Sequence, residues 1–250
     1  MADLPPPIPA ATLVLMRQPR SGPPELLMME RTADMAFAAG ALVFPGGRVE
    51  EQDVGAAADV ELADGAARIA AIRETIEETG IAAALTPAPS ASATELLRSD
   101  LLAGKAMTGA LEQLQLALDL DALVPFARWC PNFRETRRFD AIFFLAEAPE
   151  DAPEPVPQAG EATRAFWASA ADILVELDAG RAHAIFPTRR NLERLAMFGS
   201  FAEARRDAER HPVRTITPWV ECRDGRDWVC IREDAGYPVT AELFETARRR

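Results

Sequence analysis

The sequence predicts an α/β protein, and three observations carry that prediction. Short apolar runs bounded by Gly, Pro and polar clusters recur at residues 10–16, 25–30, 41–44, 123–129 and 139–146, as strands do. Interspersed with them, residues 66–79, 170–179 and 188–198 repeat apolar side chains at three- and four-residue spacing, as helices do. The 250 residues are 48% hydrophobic and 26% charged, a globular composition with enough apolar material for a sizeable core.

Taken in order, the runs at 10–16 and 25–30 flank Gln18-Pro-Arg-Ser-Gly-Pro-Pro24, which is dense in turn residues and joins two strands. A third strand at 41–44 ends at Pro45-Gly46-Gly47. Residues 51–63, rich in Ala, Asp and Gly, read as a surface excursion. The helix over 66–79 takes Asp64 as N-cap and Ile69, Ile72 and Ile76 as its buried stripe. It stops where Gly80 can adopt the left-handed position and Ile81 can pack back. A Pro/Ala/Ser loop over 85–94 leads to helices at 95–102 and 109–118, the second with Leu111, Leu114 and Leu118 on one face. Strands follow at 123–129 and 139–146. The Pro- and Glu-rich run 149–160 reads as a linker by composition. Residues 170–179 form a helix ended by Gly180, and 188–198 another, with Thr188 as cap and Leu192, Leu195 and Ala196 facing the core. Segments 212–221 and 227–232 can pair as a hairpin around Asp224-Gly225. No internal repeat is present.

A net charge of −12 argues against a general nucleic-acid binder, because phosphate neutralisation needs a basic surface. An acidic protein that handles an anionic substrate needs a bound metal and local Arg side chains to invert the field. Cys130, Cys222 and Cys230 form no disulfide framework and suit a reducing, cytoplasmic setting. Two histidines, His183 and His211, make a His-based zinc site a poor expectation. No basic, apolar leader and no membrane-length apolar run is evident, so no membrane association is expected.

The chemistry is concentrated in Arg73-Glu74-Thr75-Ile76-Glu77-Glu78-Thr79-Gly80-Ile81. On a helix Glu74 faces both Glu77 and Glu78. Three clustered carboxylates are costly to keep ionised without a cation, and oxygen ligands suit magnesium or manganese rather than zinc. A solvated acidic helix face is the ordinary alternative.

This segment resembles the second half of the Nudix box, G-x5-E-x7-R-E-U-x-E-E-x-G-U with U apolar; Thr75 occupies one U position. Gly46-Gly47 after a strand resembles the first half. Gly47 and Arg73, however, lie 26 positions apart where the family has 14, an insertion of 12 residues. Counted back from Arg73, the upstream Glu of the family falls on Gly65, with Asp64 beside it. A split box is also found in the branch that includes the mammalian peroxisomal coenzyme A diphosphatase. The coenzyme A signature LLTxR[SA]xxxRxxxGxxxFPGG aligns with Leu27, Arg31, Gly40 and Phe44-Pro45-Gly46-Gly47. Met28, Met29 and Thr32 depart mildly, and Ala36 replaces the second Arg. Arg137-Arg138-Phe139-Asp140, Glu161 ahead of Trp167, and Arg190-Asn191-Leu192 extend the likeness, which covers about residues 10–235.

The resemblance implies one Nudix domain over 1–250: an α/β/α sandwich with a mixed sheet, enlarged by the box insertion, an accessory helical segment at about 94–119 and a C-terminal extension at about 201–250. It makes 149–160 a mobile loop inside that domain. It implies hydrolysis of coenzyme A or acyl-coenzyme A to 3′,5′-ADP and a phosphopantetheine. Mg2+ or Mn2+ would be held by Glu74, Glu77, Glu78 and the main-chain carbonyl of Gly46, with Arg73 orienting the cluster. Glu161 is a candidate general base or fourth metal carboxylate, or simply an exposed Glu ending an acidic loop. Arg31, Arg137, Arg138 and Arg189 are candidates for phosphate, and Phe133, Phe166 and Trp167 for stacking on adenine. Each of these also has an ordinary structural explanation. ADP-ribose, NADH or a capped RNA end are alternative substrates, and a nucleotide sensor without hydrolysis is a different class of reading. Relatives of this kind are often homodimers.

Overall fold

The computed structural model describes residues 5–34, 38–131 and 138–249. Ala36, Phe133 and Arg137 lie outside the described residues.

In chain order the first elements are β1 (Ile8–Arg17), β2 (Glu25–Arg31), β3 (Leu42–Val43), β4 (Gly46–Arg48), α1 (Glu51–Ala56) and α2 (Gly65–Thr79). Then come β5 (Leu85–Thr86), α3 (Ala91–Leu102), α4 (Met107–Leu114), β6 (Ala117–Leu118), β7 (Val124–Trp129), β8 (Phe139–Glu147) and β9 (Ala162–Ser169). The last third holds α5 (Ala170–Asp178), α6 (Phe186–Leu195), α7 (Phe201–Arg210), β10 (Thr215–Ile216), β11 (Trp219–Arg223), β12 (Arg226–Cys230), β13 (Ala241–Leu243) and α8 (Phe244–Arg249).

One eight-stranded mixed sheet runs β10-β7-β8-β1-β2-β3, with β4 on β1 and β9 on β2. β1 is its axis. It pairs in parallel with β8 from Ile8 opposite Phe139 to Met16 opposite Glu147. On its other edge it pairs with β4 at one end and β2 at the other, so the sheet forks there. The period-2 alternation of β1 divides the molecule into two cores. Leu13 and Leu15 face α2, α3 and α4, packing with Ile69, Ile72, Ile76, Leu97 and Leu101. Val14 and Met16 face α5, α6 and α7, packing with Ile173, Leu177, Leu192, Leu195 and Ala204. The result is the expected α/β/α sandwich.

α2 has the expected apolar stripe and ends as expected, with Gly80 at φ +72 and Ile81 fully buried. Thr75, at the departing box position, is buried and donates its hydroxyl to the Ala71 carbonyl at 2.7 Å, which satisfies its polar atom inside the core. The Asp224-Gly225 hairpin is present, both turn residues at positive φ.

Several expectations need correction. Residues 51–63 do lie largely at the surface, but their first part, 51–56, is a helix that buries Asp53. Asp64 stands at the N-cap of α2 but in a left-handed conformation with no side-chain cap bond. α6 begins two residues before Thr188, with Pro187 in its first turn, so Thr188 lies inside the helix, and Ala196 is exposed beyond its end. Leu118 sits in β6 rather than in α4. α7 was not expected at all.

Candidate active site

The box residues meet where β4 lies along the start of β1. Gly46 has φ +156, and a Cβ there would strike the Ala11 carbonyl of β1, so only glycine fits this close approach. Its N–H donates to Glu78 Oε2 at 2.8 Å. Gly47 lies flat under the Glu74 carboxyl, which occupies the space a Cβ would fill. β4 thereby locates two of the three box carboxylates.

Arg73 locates the third. Its Nη1 lies 2.9 Å from Glu74 Oε1 and 3.1 Å from Glu77 Oε2. Its Nε and Nη2 donate to Asp53 Oδ1 and Oδ2 at 3.0 and 2.9 Å, a bidentate pair in which both residues are buried. Nη2 also donates to the Arg48 carbonyl. Burial works against the Arg73 charge, but the Asp53 bonds and the charges of Glu74, Asp53 and Glu77 outweigh it, so its pKa rises. α1 exists to present Asp53: Asp53 also accepts from the Glu50 N–H at 2.9 Å in a capping box that starts the helix.

Burial pushes the Glu74 carboxyl up to about 7, with Arg73 opposing and Glu77 adding to the rise. Burial raises Glu77 as well. Glu78 is raised well above the usual carboxylate range, by burial first and by Glu74, against the Gly46 N–H and Arg31. Glu161 adds to that rise, so Arg31 and Glu161 both stand within electrostatic reach of Glu78. Arg31 ends β2, and the next residue, Thr32, donates its N–H to the Glu161 carbonyl at 2.9 Å. The fold therefore brings Arg31 and Glu161 together at the edge of the carboxylate cluster, although they are far apart in sequence. Among the described residues, the buried Nε atoms of Arg31 and Arg138 have no hydrogen-bond partner. Arg138 immediately precedes β8 beside Ile8, at the end of the sheet where β4 pairs with β1.

Other candidates are placed elsewhere. Arg189 lies on α6, on the opposite side of the sheet, paired with Asp178 and Glu193. Phe166 packs with the second core under Arg164, and Trp167 with the first core under Arg17. Cys230 is buried as expected of a small apolar residue, whereas Cys222 is exposed. Two cavities of about 100 and 350 Å³ are lined respectively by residues including Arg194, His211 and Arg232, and by residues including Glu30, Arg181 and His183; neither is lined by a box carboxylate.

No family model matches the sequence, and no curated protein matches it. Solved structures do. A NUDIX hydrolase from Alicyclobacillus acidocaldarius superposes with a TM-score of 0.71 at 28% identity, covering 82% of this chain and 97% of its own. The chain is a hydrolase of the Nudix superfamily. A MutT NUDIX hydrolase from Burkholderia pseudomallei aligns at 18% identity with a TM-score of 0.43, over 76% of this chain and 98% of its own. The NUDIX domain of Shewanella oneidensis NrtR, solved with ADP ribose, aligns at 13% and 0.45, over 76% and 86%.

The upstream carboxylate of the Nudix pattern can be counted from either end, with different results. Counted back from Arg73 the position falls on Gly65, which packs against Val60 and Ala57 and carries no charge. Counted forward from Gly47, the x5 spacing lands on Asp53, the residue that holds Arg73. The signal was present in the sequence at the other end of the pattern.

The donor set fits a hard divalent ion. Asp53, Glu74 and Glu77 surround the guanidinium of Arg73, and Glu78 stands on the same turn of α2, leaving an excess of negative charge made only of oxygen donors. Among the described residues, no three acidic, His or Cys side chains converge on one point as ligands of a bound ion would. Arg73 stands between Glu74 and Glu77, and Glu78 turns to the Gly46 N–H.

Proposed function

We propose that this Nudix hydrolase cleaves the diphosphate of coenzyme A or acyl-coenzyme A in a metal-dependent reaction, giving 3′,5′-ADP and the corresponding phosphopantetheine. The observation that carries the catalytic part is the buried Asp53–Arg73 pair clamping Glu74 and Glu77 beside Glu78. Glu74, Glu77, Glu78 and the Gly46 carbonyl would hold Mg2+ or Mn2+. Bound there, the ion would neutralise the diphosphate and acidify a water. Arg73 keeps two of the ligands oriented, and Asp53 keeps Arg73 fixed and charged. The Gly46 N–H does the same for Glu78. Glu161 is the proposed general base, a role that requires it to reach the attacking water directly or through one other water; its charge is felt at Glu78. Arg31 and Arg138 are proposed to bind phosphate oxygens through their planar donors; among the described residues, a buried Nε of each has no hydrogen-bond partner.

Coenzyme A rests on the signature that runs from Leu27 to Gly47, of which Arg31 exerts its charge on Glu78. ADP-ribose and NADH are the competing substrates, and the net charge of −12 weighs against capped RNA. Against a sensor without hydrolysis weigh the three box carboxylates Glu74, Glu77 and Glu78, all present, with Asp53 beside them on Arg73. The free cysteines favour a cytoplasmic enzyme.

Incubation with coenzyme A, acetyl-coenzyme A, ADP-ribose and NADH, each with Mg2+ or Mn2+, tests the reading. Release of 3′,5′-ADP from the first two is expected. Cleavage of ADP-ribose or NADH alone would remove coenzyme A and keep the chemistry. No product from any of them would shift the balance to the sensor.

A further inference from the structure

Between β8 and β9 the chain runs through residues 148–161 without helix or strand, yet it is tied down. Val156 donates its N–H to the Thr79 carbonyl at 2.8 Å, and Gln158 to the Glu78 carbonyl at 2.9 Å. Both acceptors lie in the last turn of α2, where no intrahelical donor remains for them. Arg98 of α3 closes the arrangement. Its Nε donates to the Glu77 carbonyl at 3.0 Å and its Nη2 to the Val156 carbonyl at 2.7 Å. Its guanidinium lies over Gly80, where a Cβ would come within 3.1 Å of Nη1. The neighbouring Leu97 and Leu101 are buried in the core, so α3 gives Arg98 a rigid base. Beyond Gln158 the chain tightens: the N–H groups of Glu161 and Ala162 both donate to the Gln158 carbonyl at 3.2 Å. Thr32 holds the far side, its N–H on the Glu161 carbonyl and its hydroxyl on that of Gly160.

We infer that Arg98, on the accessory helix, is a positioning residue for the reaction. It clamps the 148–161 segment onto the C-terminus of the box helix and so holds Glu161 beside Glu78 and Arg31. The inference rests on the catalytic reading above and gives the accessory helices a role in it. A side chain kept only for packing would not need to bridge carbonyls of two separate segments, one of which leads directly to the proposed base. Loosening that segment lets the carboxylate wander, and a misplacement of about 1 Å can cost ~10²-fold in rate.

The test uses the full chain with Mg2+ and the substrate it cleaves. Arg98→Met keeps the stem and removes both donors; Arg98→Lys keeps a charge that can reach one carbonyl. In Arg98→Met, amide exchange at Val156 and Gln158 is expected to quicken, and kcat to fall by about tenfold or more while KM stays within about twofold. Arg98→Lys should recover part of the loss. Combined with Glu161→Gln, Arg98→Met should add little, because both act through one carboxylate. Unchanged exchange in Arg98→Met overturns the clamp whatever the activity. A rate loss that adds fully to that of Glu161→Gln overturns action through Glu161. Full turnover in Glu161→Gln overturns the base assignment and the positioning role with it, and the exchange data still judge the clamp separately.

Discussion

Arg73 carries one positive charge among three carboxylates, and Asp53 takes two of its hydrogen bonds. Removing one partner of a buried ion pair usually costs 3–5 kcal/mol, because the other charge is left without compensation. Asp53→Ala is therefore expected to lower stability by about 3–5 kcal/mol in a urea titration. It should also lower kcat by roughly 10- to 100-fold through disordered ligands. Adding Gly65→Glu should restore neither. Recovery in that double variant would mean that the site uses the position counted from Arg73 after all. Glu78→Gln preserves an acceptor for the Gly46 N–H but removes the charge. It should keep the fold by circular dichroism and lose about 10²-fold or more in turnover. Near-normal activity would refute the metal-site assignment. Glu74, Glu77 and Glu78 were legible from spacing alone, since one helical turn forces them together. Asp53 was missed, because its partner lies 20 residues away and the count was taken back from Arg73, across the insertion, rather than forward from Gly47.

Among the elements, α2 was the most legible, because its apolar stripe, terminal glycine and acidic face all obey the same 3.6-residue period. Ile72 is almost fully buried in that stripe. Ile72→Ala should cost about 2–5 kcal/mol through lost burial and the cavity left behind. The check is a lower urea midpoint at unchanged slope; a shift under ~1 kcal/mol would mean the site collapses around the smaller side chain. Where the sequence misled, competing signals were at work. Thr188 resembles a cap, yet Pro187 starts α6 two residues earlier than expected. α7 went unseen because it buries only Ala204, Asp207 and Ala208, small or charged residues that write no apolar stripe. Asp207 is buried there because Arg194 of α6 pairs with it at 2.8 Å, a tertiary partnership that composition does not announce. The run 149–160 read as a linker, yet its backbone donors end on α2.

For the whole molecule, the split of β1 into two faces puts the box and accessory helices on one side and α5, α6 and α7 on the other. The charge excess of the first side gives a global prediction. Chelation of metal should abolish turnover, and Mg2+ should restore it and raise the melting temperature. At a hundredfold excess over its Kd a ligand that binds only the folded state adds about 2.7 kcal/mol. The shift should vanish in a Glu74→Gln/Glu77→Gln/Glu78→Gln variant; persistence there would place the stabilising ion elsewhere. Among the described residues no helix is long and apolar enough to cross a membrane.

By itself the sequence determined the α/β class, the box helix with its three carboxylates, the glycine pair that meets them, and the chemistry those groups imply. All of these are set by residues within a few positions of one another, where helix and strand periods fix the geometry. Only the tertiary structure decided that Asp53 pairs with Arg73, that Arg31 and Glu161 come together at the end of the box helix while Arg189 does not, and that Arg98 ties the accessory helix to the loop carrying Glu161. Those pairings join segments tens of residues apart, and they depend on how β1 forks to β2 and β4 and on where an insertion falls, which local pattern cannot encode.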